Sequence, residues 1–312
     1  MADSSVSVNL FSKKSLLAAS LLSAGYLLLS HLLIGYRPEQ LVLVALFNLA
    51  FFSSAGSRKF VTGFSIFILF WILFDYMKAF PNYRYAAVHI GDLYQAEKNW
   101  FGIVSGGSLV TPNEYWLAHT QPWLDLATGI AYLCWVPVPL IFAGYLFFRN
   151  RAAFLDFALN FLLVNLIGFL IYYLYPAAPP WYVQQHGFLF QAATPGNTGG
   201  LIRFDAALHT ALFEGLYSKS SNVFAAMPSL HSAYPVILLY YGIRNRLGWI
   251  NLFFACLMFS IWFSAIYNSH HYVLDVIAGI VCALASILLY RMLAARTAWF
   301  PRFLQLFVRA IT

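Results

Sequence analysis

The chain has 312 residues, of which 61% are hydrophobic and only 9% charged, with a formal net charge of +7. A water-soluble domain of this length carries far more charge, and a membrane β-barrel shows alternation instead of continuous apolar runs. The composition therefore predicts a polytopic helical membrane protein, all-α in class. The basic surplus reads as membrane topology and contact with anionic lipid, with no nucleic acid as partner.

In chain order, the first apolar run, 15–36, follows MADSSVSVNLFSKK and has no well-placed small-residue cleavage site. It reads as a retained helix and not as a signal peptide. A short run at 41–57 and a longer one at 60–80 come next. An outer segment, 81–122, leads into runs at 123–148 and 152–175. A second, 176–222, precedes runs at 223–243, 247–268 and 271–290. With about 20 residues needed to cross a bilayer, the expectation is about eight transmembrane helices.

The basic pairs fix an orientation. Lys13, Lys14, Arg58, Lys59, Arg149, Arg151, Arg244, Arg246, Arg291, Arg296, Arg302 and Arg309 fall on one side of this scheme, which the positive-inside rule makes cytoplasmic. Every histidine falls on the other side: His31, His89, His119, His186, His209, His231, His270 and His271. So does every acid except Asp3 and Asp156. The two long outer segments are rich in aromatics and contain amphipathic stretches such as DAALHTALFEGLYS at 205–218, so short interfacial helices are expected there. Cys134, Cys256 and Cys282 lie inside spans, lack metal-ligand spacing and read as core filler.

Two stretches put scarce ionisable groups at outer helix ends: AAMPSLHSAYP at 225–235 and SAIYNSHHYVLD at 264–275. In the second, His271 and Asp275 are four residues apart, so on a helix they share a face. A carboxylate there holds one imidazole nitrogen and leaves the other free to act. At the start of the last span the helix dipole favours an anion and opposes protonation of the ring, which suits a phosphorus nucleophile. His270 points roughly 100° away. In the first stretch Pro228 suits a helix start, Ser229 offers a hydroxyl and N–H groups to an anion, and His231 can protonate a departing oxygen. The residues alone leave other readings open. The histidines would be ordinary interfacial residues and the motifs helix caps, or His231, His270 or His271, and Asp275 would form a two-histidine, one-carboxylate metal site.

With these residues in view, the chain resembles the type 2 phosphatidic acid phosphatase superfamily. PSLH at 228–231, and Ser264, His271 and Asp275 in S-x6-H-x3-D spacing, are similar to its second and third signatures, commonly PSGH and SRxxxxxHxxxD. The resemblance implies that His271 is the nucleophile, Asp275 its orienting carboxylate, His231 the acid and Ser229 a phosphate ligand, with no metal and no organic cofactor. The chain departs from the common pattern: Leu230 replaces the glycine, Ala265 replaces the arginine, and no KxxxxxxRP signature exists. PSLHS, HHYVLDVIAG and APPWY at 178–182 are instead similar to the aureobasidin-sensitive inositol phosphorylceramide synthases and their bacterial relatives. DYMKAFPNYR at 75–84 and VHIGDLYQAEKNWFG at 88–102 resemble the region before the core in that branch. The likeness covers roughly 75–290 and is strongest at 175–280.

The resemblance implies one integral membrane domain over 1–312: N-terminal spans and an outer segment to 122, a six-helix phosphatase-like catalytic core at 123–292, and a basic cytoplasmic tail at 293–312. The expected activity is transfer of an inositol-phosphate type headgroup from a phospholipid donor to a lipid acceptor such as ceramide. The alternative is a lipid phosphate phosphatase with water as acceptor; a non-enzymatic carrier or scaffold is a rival of another class. Loss of the cationic signature favours a phosphodiester donor, which carries less charge. Its place must be taken by outer basic residues: Lys78, Arg84, Lys98, Arg203 or Lys219, with Arg203 the first choice and Arg84 the second. Asp75, Lys78 and Asp125 are candidates for the headgroup hydroxyls, although Asp125 also reads as a cap of the fourth span. The site is expected on the non-cytoplasmic face. The absence of N-x-S/T sequons and of a disulfide framework leans towards a bacterial inner membrane.

Overall fold

The computed structural model describes residues 10–218 and 222–312. The expectations placed on Asp3 and Lys219 lie outside the described residues. Helix α1, Lys13–Ile34, starts where the Ser12 hydroxyl accepts the Ser15 N–H and stops at Gly35, whose φ is 77°. Helix α2, Pro38–Ser53, opens with proline in its first turn. Helix α3, Ala55–Tyr76, follows at once because Ser54 and Ser57 form a reciprocal cap. Arg58 and Lys59 therefore sit in the first turn of α3, not in a loop after the second span.

The first outer segment holds a 3-10 turn at Asn82–Arg84, α4 (Gly91–Phe101), a hairpin of β1 (Ile103–Ser105) and β2 (Ser108–Val110), and α5 (Pro112–Ala118). The hairpin was not expected; its turn uses Gly106 and Gly107, both at positive φ. The next apolar run is broken ahead of Pro137 into α6 (Pro122–Leu133) and α7 (Pro137–Arg149). Helix α8 (Arg151–Leu174) is capped by Asn150. The second outer segment carries α9 (Pro180–His186), α10 (Ile202–Ala207) and α11 (Leu212–Tyr217). The amphipathic stretch 205–218 is thus two short helices, parted around His209 at φ 50°. Helices α12 (Leu230–Arg244), α13 (Ile250–Tyr267), α14 (Val273–Arg296) and α15 (Trp299–Ile311) complete the chain.

The all-α membrane bundle is as expected, but the total of eight spans is not confirmed. Six stretches are long and apolar enough to cross a membrane: 13–34, 55–79, 122–149, 151–174, 250–267 and 273–296. Helix α2 has 16 residues and α12 has 15. At about 1.5 Å per residue, α12 covers about 22 Å of a hydrocarbon layer about 30 Å thick. It opens at Leu230 rather than 223 because the chain before it turns at 223–224, is pinned by the Ala177–Ala225 bridge and bends at 227–228 before the capping Ser229. The stretch from 293 is also more than a tail. Helix α14 runs on to Arg296, and α15 packs Phe300 and Ile311 inward while Trp299 and Leu306 stay exposed.

Helices α8, α12 and α14 form the centre, flanked by α7 and α13. Phe147, Phe154, Phe157 and Phe161 fill it, with Gly63 of α3 lying against Phe147 and Phe154. Leu17, Leu21, Leu28 and Leu32 of α1 face outward, as suits a lipid solvent. The outer segments are stitched together beneath the site. Ala177 pairs in parallel with His89 on one side and Ala225 on the other. The buried Asn82 side chain donates to the Tyr172 and Phe224 carbonyls at 2.8 and 2.7 Å.

Candidate active site

The turn between α13 and α14, residues 268–271, is held from every direction. The His270 and His271 N–H groups both reach the Ala265 carbonyl at 3.0 Å, with Ser269 at φ 58°. Trp181 of the APPWY stretch donates its N–H to the Ser269 carbonyl at 3.0 Å, and Gly200 donates to the Asn268 carbonyl at 2.8 Å. The Asn113 side chain of α5 donates to the carbonyls of Ile266 and His271 at 2.8 and 2.9 Å.

His271 does not stand inside the first turn of α14, as its spacing suggested. Tyr272 is the N-cap, and its N–H is taken by the Asp275 carboxylate at 2.8 Å, so Asp275 caps its own helix. That leaves Asp275 Oδ2 3.6 Å from His271 Nδ1. The hydrogen bond of Nδ1 goes to the Ala226 carbonyl, at 2.9 Å. A carbonyl only accepts, so Nδ1 carries the proton and Nε2 keeps its lone pair. Burial lowers the His271 pKa to about 4, which keeps the ring neutral at neutral pH.

His231, in the first turn of α12, places Nδ1 3.1 Å from His271 Nε2. With Nε2 as acceptor, His231 Nδ1 must be the donor. The same nitrogen is 3.1 Å from the Tyr132 hydroxyl, and Trp135 meets the ring edge-on at 4.4 Å. Tyr132 hydrogen-bonds onward to Tyr217. His270 faces elsewhere: its Nε2 donates to the Thr198 carbonyl at 2.8 Å, and its ring lies between Tyr132 and Tyr217. Burial takes the His270 pKa down to about 3, so it braces the Thr198 loop as a neutral ring.

The anion position expected at the start of α14 is already filled. Glu97 of α4, fully buried, accepts the Val273 and Leu274 N–H groups at 2.9 and 3.1 Å. The open helix start is that of α12, where Leu230 and His231 have no intrahelical acceptor for their N–H groups by position. Ser229 is engaged there: its hydroxyl accepts the Ser232 N–H and hydroxyl at 3.3 and 3.0 Å, and its own N–H donates to the Asp275 carbonyl at 2.9 Å.

Of the remaining candidates, Arg203 lies closest to this assembly. Its loop rides on the catalytic turn through Gly199 and Gly200, where an added Cβ would come within 2.5 Å of the Asn268 carbonyl and 2.7 Å of the guanidinium, respectively. Arg203 Nε donates to Asp125 at 2.6 Å, and the Tyr267 hydroxyl donates to the same oxygen at 2.8 Å. Asp125 therefore does not cap α6; the partly buried Arg203 and the buried Tyr267 hold it instead. Arg203 Nη2 is buried with no hydrogen-bond partner among the described residues. Asp75 and Lys78 pair with each other at the end of α3, and Lys98 lies over the Tyr94 ring. Arg84 is exposed and has no ion-pair partner among the described residues. These four are not joined to the histidine pair. Among the described residues no three His, Cys, Asp or Glu side chains are grouped to hold a metal ion, and Asp275 is turned to the Tyr272 N–H.

A family model described as the PAP2 superfamily matches residues 107–289. The chain belongs to the PAP2 superfamily. It is an enzyme of that superfamily. It is 45% identical over 275 residues to a phosphoinositol dihydroceramide synthase of Bacteroides thetaiotaomicron, covering 88% of this chain and 90% of that one. It is 33% identical over 171 residues to an inositol phosphorylceramide synthase of Candida albicans, covering 51% of this chain and 36% of that one. With the inositol phosphorylceramide synthase catalytic subunit of Saccharomyces cerevisiae it shares 35% over 123 residues, or 38% and 29% of the two chains. No solved structure matches the chain significantly.

Tyr132, Tyr217, Asn113 and Glu97 were not singled out in the sequence. Glu97 left a trace, since it lies one turn after the buried Leu93 and so puts an acid on the apolar face of α4. Tyr132 touches His231 from 99 residues away and left none. Replacing Tyr132 by phenylalanine removes one hydrogen bond from His231 and leaves the ring stack. A fall in kcat of roughly tenfold with little change in KM is expected, to be read by steady-state kinetics.

Proposed function

We propose that this enzyme transfers an inositol-phosphate type headgroup from a phospholipid donor to a lipid acceptor such as ceramide, through a phosphohistidine on His271. Transfer to a lipid, rather than hydrolysis, is the reading that the three synthase relatives support. The observation that carries the mechanism is the 3.1 Å approach of His231 Nδ1 to a His271 Nε2 whose lone pair is left free by the Ala226 carbonyl.

In the first step His271 Nε2 attacks phosphorus, the N–P bond forms and the P–O bond to diacylglycerol breaks. The departing oxygen takes the proton of His231. In the second step the acceptor hydroxyl gives its proton to His231 and attacks phosphorus, and the N–P bond breaks. As the ring is phosphorylated it becomes cationic, and Asp275, beside Nδ1, stabilises that charge. The N–H groups at the start of α12 and the guanidinium of Arg203 are assigned to the phosphate oxygens, with the Ser229 hydroxyl as a further phosphate ligand; Arg84, exposed and not joined to the histidine pair, stands further out. Asp125 is the headgroup candidate nearest this chemistry, by way of Arg203; Asp75 and Lys78 stand further out. The distribution of basic residues supports a site on the non-cytoplasmic face, and the similarity to a bacterial synthase supports a bacterial inner membrane.

The test is a product assay with purified protein in detergent–lipid micelles. Phosphatidylinositol labelled in its phosphate is supplied with and without ceramide, beside a phosphatidic acid control. Label entering a new lipid only when ceramide is present supports the proposal. Free phosphate released from phosphatidic acid, indifferent to ceramide, would replace it with the phosphatase.

A further inference from the structure

We infer that Glu97 is a positioning residue for this reaction: from α4 it fixes the start of α14 and, through it, the ring of His271. The inference rests on the proposed role of His271. Both Glu97 oxygens are used, one on the Val273 N–H and one on the Leu274 N–H, at 2.9 and 3.1 Å. Asp275 takes the N–H of Tyr272, the residue before them, at 2.8 Å. Three successive N–H groups at the start of α14, those of Tyr272, Val273 and Leu274, are therefore taken by two carboxylates. From α5, Asn113 holds the His271 carbonyl at 2.9 Å. The peptide that carries the nucleophile is thus gripped on both sides by the first outer segment.

The grip uses both oxygens of a carboxylate. Several helix starts in this chain are closed by a single serine, threonine or asparagine, whereas the start of α11 is held as that of α14 is, by a buried acid, Asp205, on the Phe213 and Glu214 N–H groups at 3.2 and 3.0 Å. A buried acid is a costly way to do the same work unless its charge or its double acceptor is needed. Glu97 lies outside the matched family region, 107–289.

The carboxylate also titrates where it matters. Burial, helped by the neighbouring Asp275, pushes Glu97 up to about 7 against the opposing pull of the two N–H groups. Protonation removes an acceptor and frees one N–H of the turn, so turnover should rise as pH climbs through about 7. The titratable groups facing Glu97 are Asp275 and Tyr272 at the start of α14, Tyr94 on its own helix, and Glu114 on α5. His271 at about 4 and Tyr94 at about 12 do not titrate in that window.

The experiment uses the full chain in micelles, with Glu97→Gln and Glu97→Ala assayed for transfer from about pH 5.5 to about pH 9. A glutamine oxygen can still accept from one of the two N–H groups. The expected kcat is about tenfold lower for Glu97→Gln and about a hundredfold lower for Glu97→Ala, with donor KM within about twofold. The rising limb near neutrality should vanish in Glu97→Gln, and rapid-quench formation of phosphoenzyme should slow in step with kcat. If Glu97→Ala does not fold, Glu97→Gln decides, its elution profile being compared with that of the unaltered protein. An unchanged kcat, or a limb that persists in Glu97→Gln, overturns the inference. So does a KM rise matching the loss, which would put Glu97 in contact with the donor. His271→Ala is run alongside, and transfer surviving in it sinks the nucleophile assignment whatever the Glu97 variants do.

Discussion

Alanine in place of His271 should lower headgroup transfer by about four orders of magnitude or more, the scale of loss seen when a covalent catalyst loses its nucleophile. No other side chain can take over. His231 offers a protonated Nδ1 to the same spot, and His270 is committed to the Thr198 carbonyl at 2.8 Å. The substitution also strips the Ala226 carbonyl of its donor, at a cost of about 1–3 kcal/mol for a buried group left unpaired. His271→Asn separates the two effects, because its amide can still donate to a nearby carbonyl but cannot be phosphorylated as the ring is. Both variants are expected to lose the acid-labile, alkali-stable phosphoenzyme trapped during turnover, while the asparagine protein keeps its thermal midpoint. Transfer at more than about a hundredth of the normal rate in either would show that another group attacks phosphorus.

A single methyl group at Gly279 should do nearly as much damage by a different route. A Cβ there would stand 2.1 Å from the Ser229 carbonyl oxygen and 3.1 Å from its carbon, both backbone atoms. Backbone cannot swing away as a side chain can. Ser229 is the cap of α12 and is tied to α14 through the Asp275 carbonyl, so the start of α12, with His231, would be pushed off α14 and the turn before it that carries His271. Overpacking of this kind costs about 1–3 kcal/mol. A shift of about 1 Å between His231 and His271 is enough to cost about a hundredfold in rate. Gly279→Ala is therefore expected to melt earlier and to lose most of its transfer activity. Gly144→Ala, in α7 with nothing within 4 Å of the new methyl, is the control. It should match or slightly exceed the unaltered protein in stability, since alanine is the better helix former. Equal behaviour of the two variants would mean that the α12–α14 contact does not set the site.

What could be read in advance follows the range over which each signal acts. The helical membrane class was legible because apolar runs are local and long. The histidine pair was legible because PSLH and HHYVLD are short motifs at helix ends. Span boundaries slipped wherever a cap competed with hydrophobicity: Ser54 with Ser57 moved the start of α3, and the bend at 227–228 ahead of the capping Ser229 shortened α12. Asp275 shows the same competition at one residue. Its spacing to His271 suits an i, i+4 contact, but the helix begins two residues after His271, and the carboxylate turns back to cap it. Asp125 was weighed as a cap because it stands in the first turn of α6, whereas its partners Arg203 and Tyr267 come from 78 and 142 residues away. No local pattern could supply those partners, nor the Tyr132 contact to His231.

The clamp on the catalytic turn has a consequence for biosynthesis. Asn113 is made 158 residues before His271, and Glu97 is made 177 residues before Leu274. While the ribosome is still extending the middle spans, the early half of the clamp has nothing to grip, and a carboxylate destined for burial stays in water at the membrane surface. Contacts of such separation form late, once the loop between them has closed. A chain interrupted before the 268–271 turn lacks the proposed nucleophile, and one interrupted before α14 lacks Asp275 and the N–H groups that Glu97 grips. Under the proposed mechanism the site is complete only once the segment 268–275 has docked, and that same segment supplies the N–H partners of the buried Glu97.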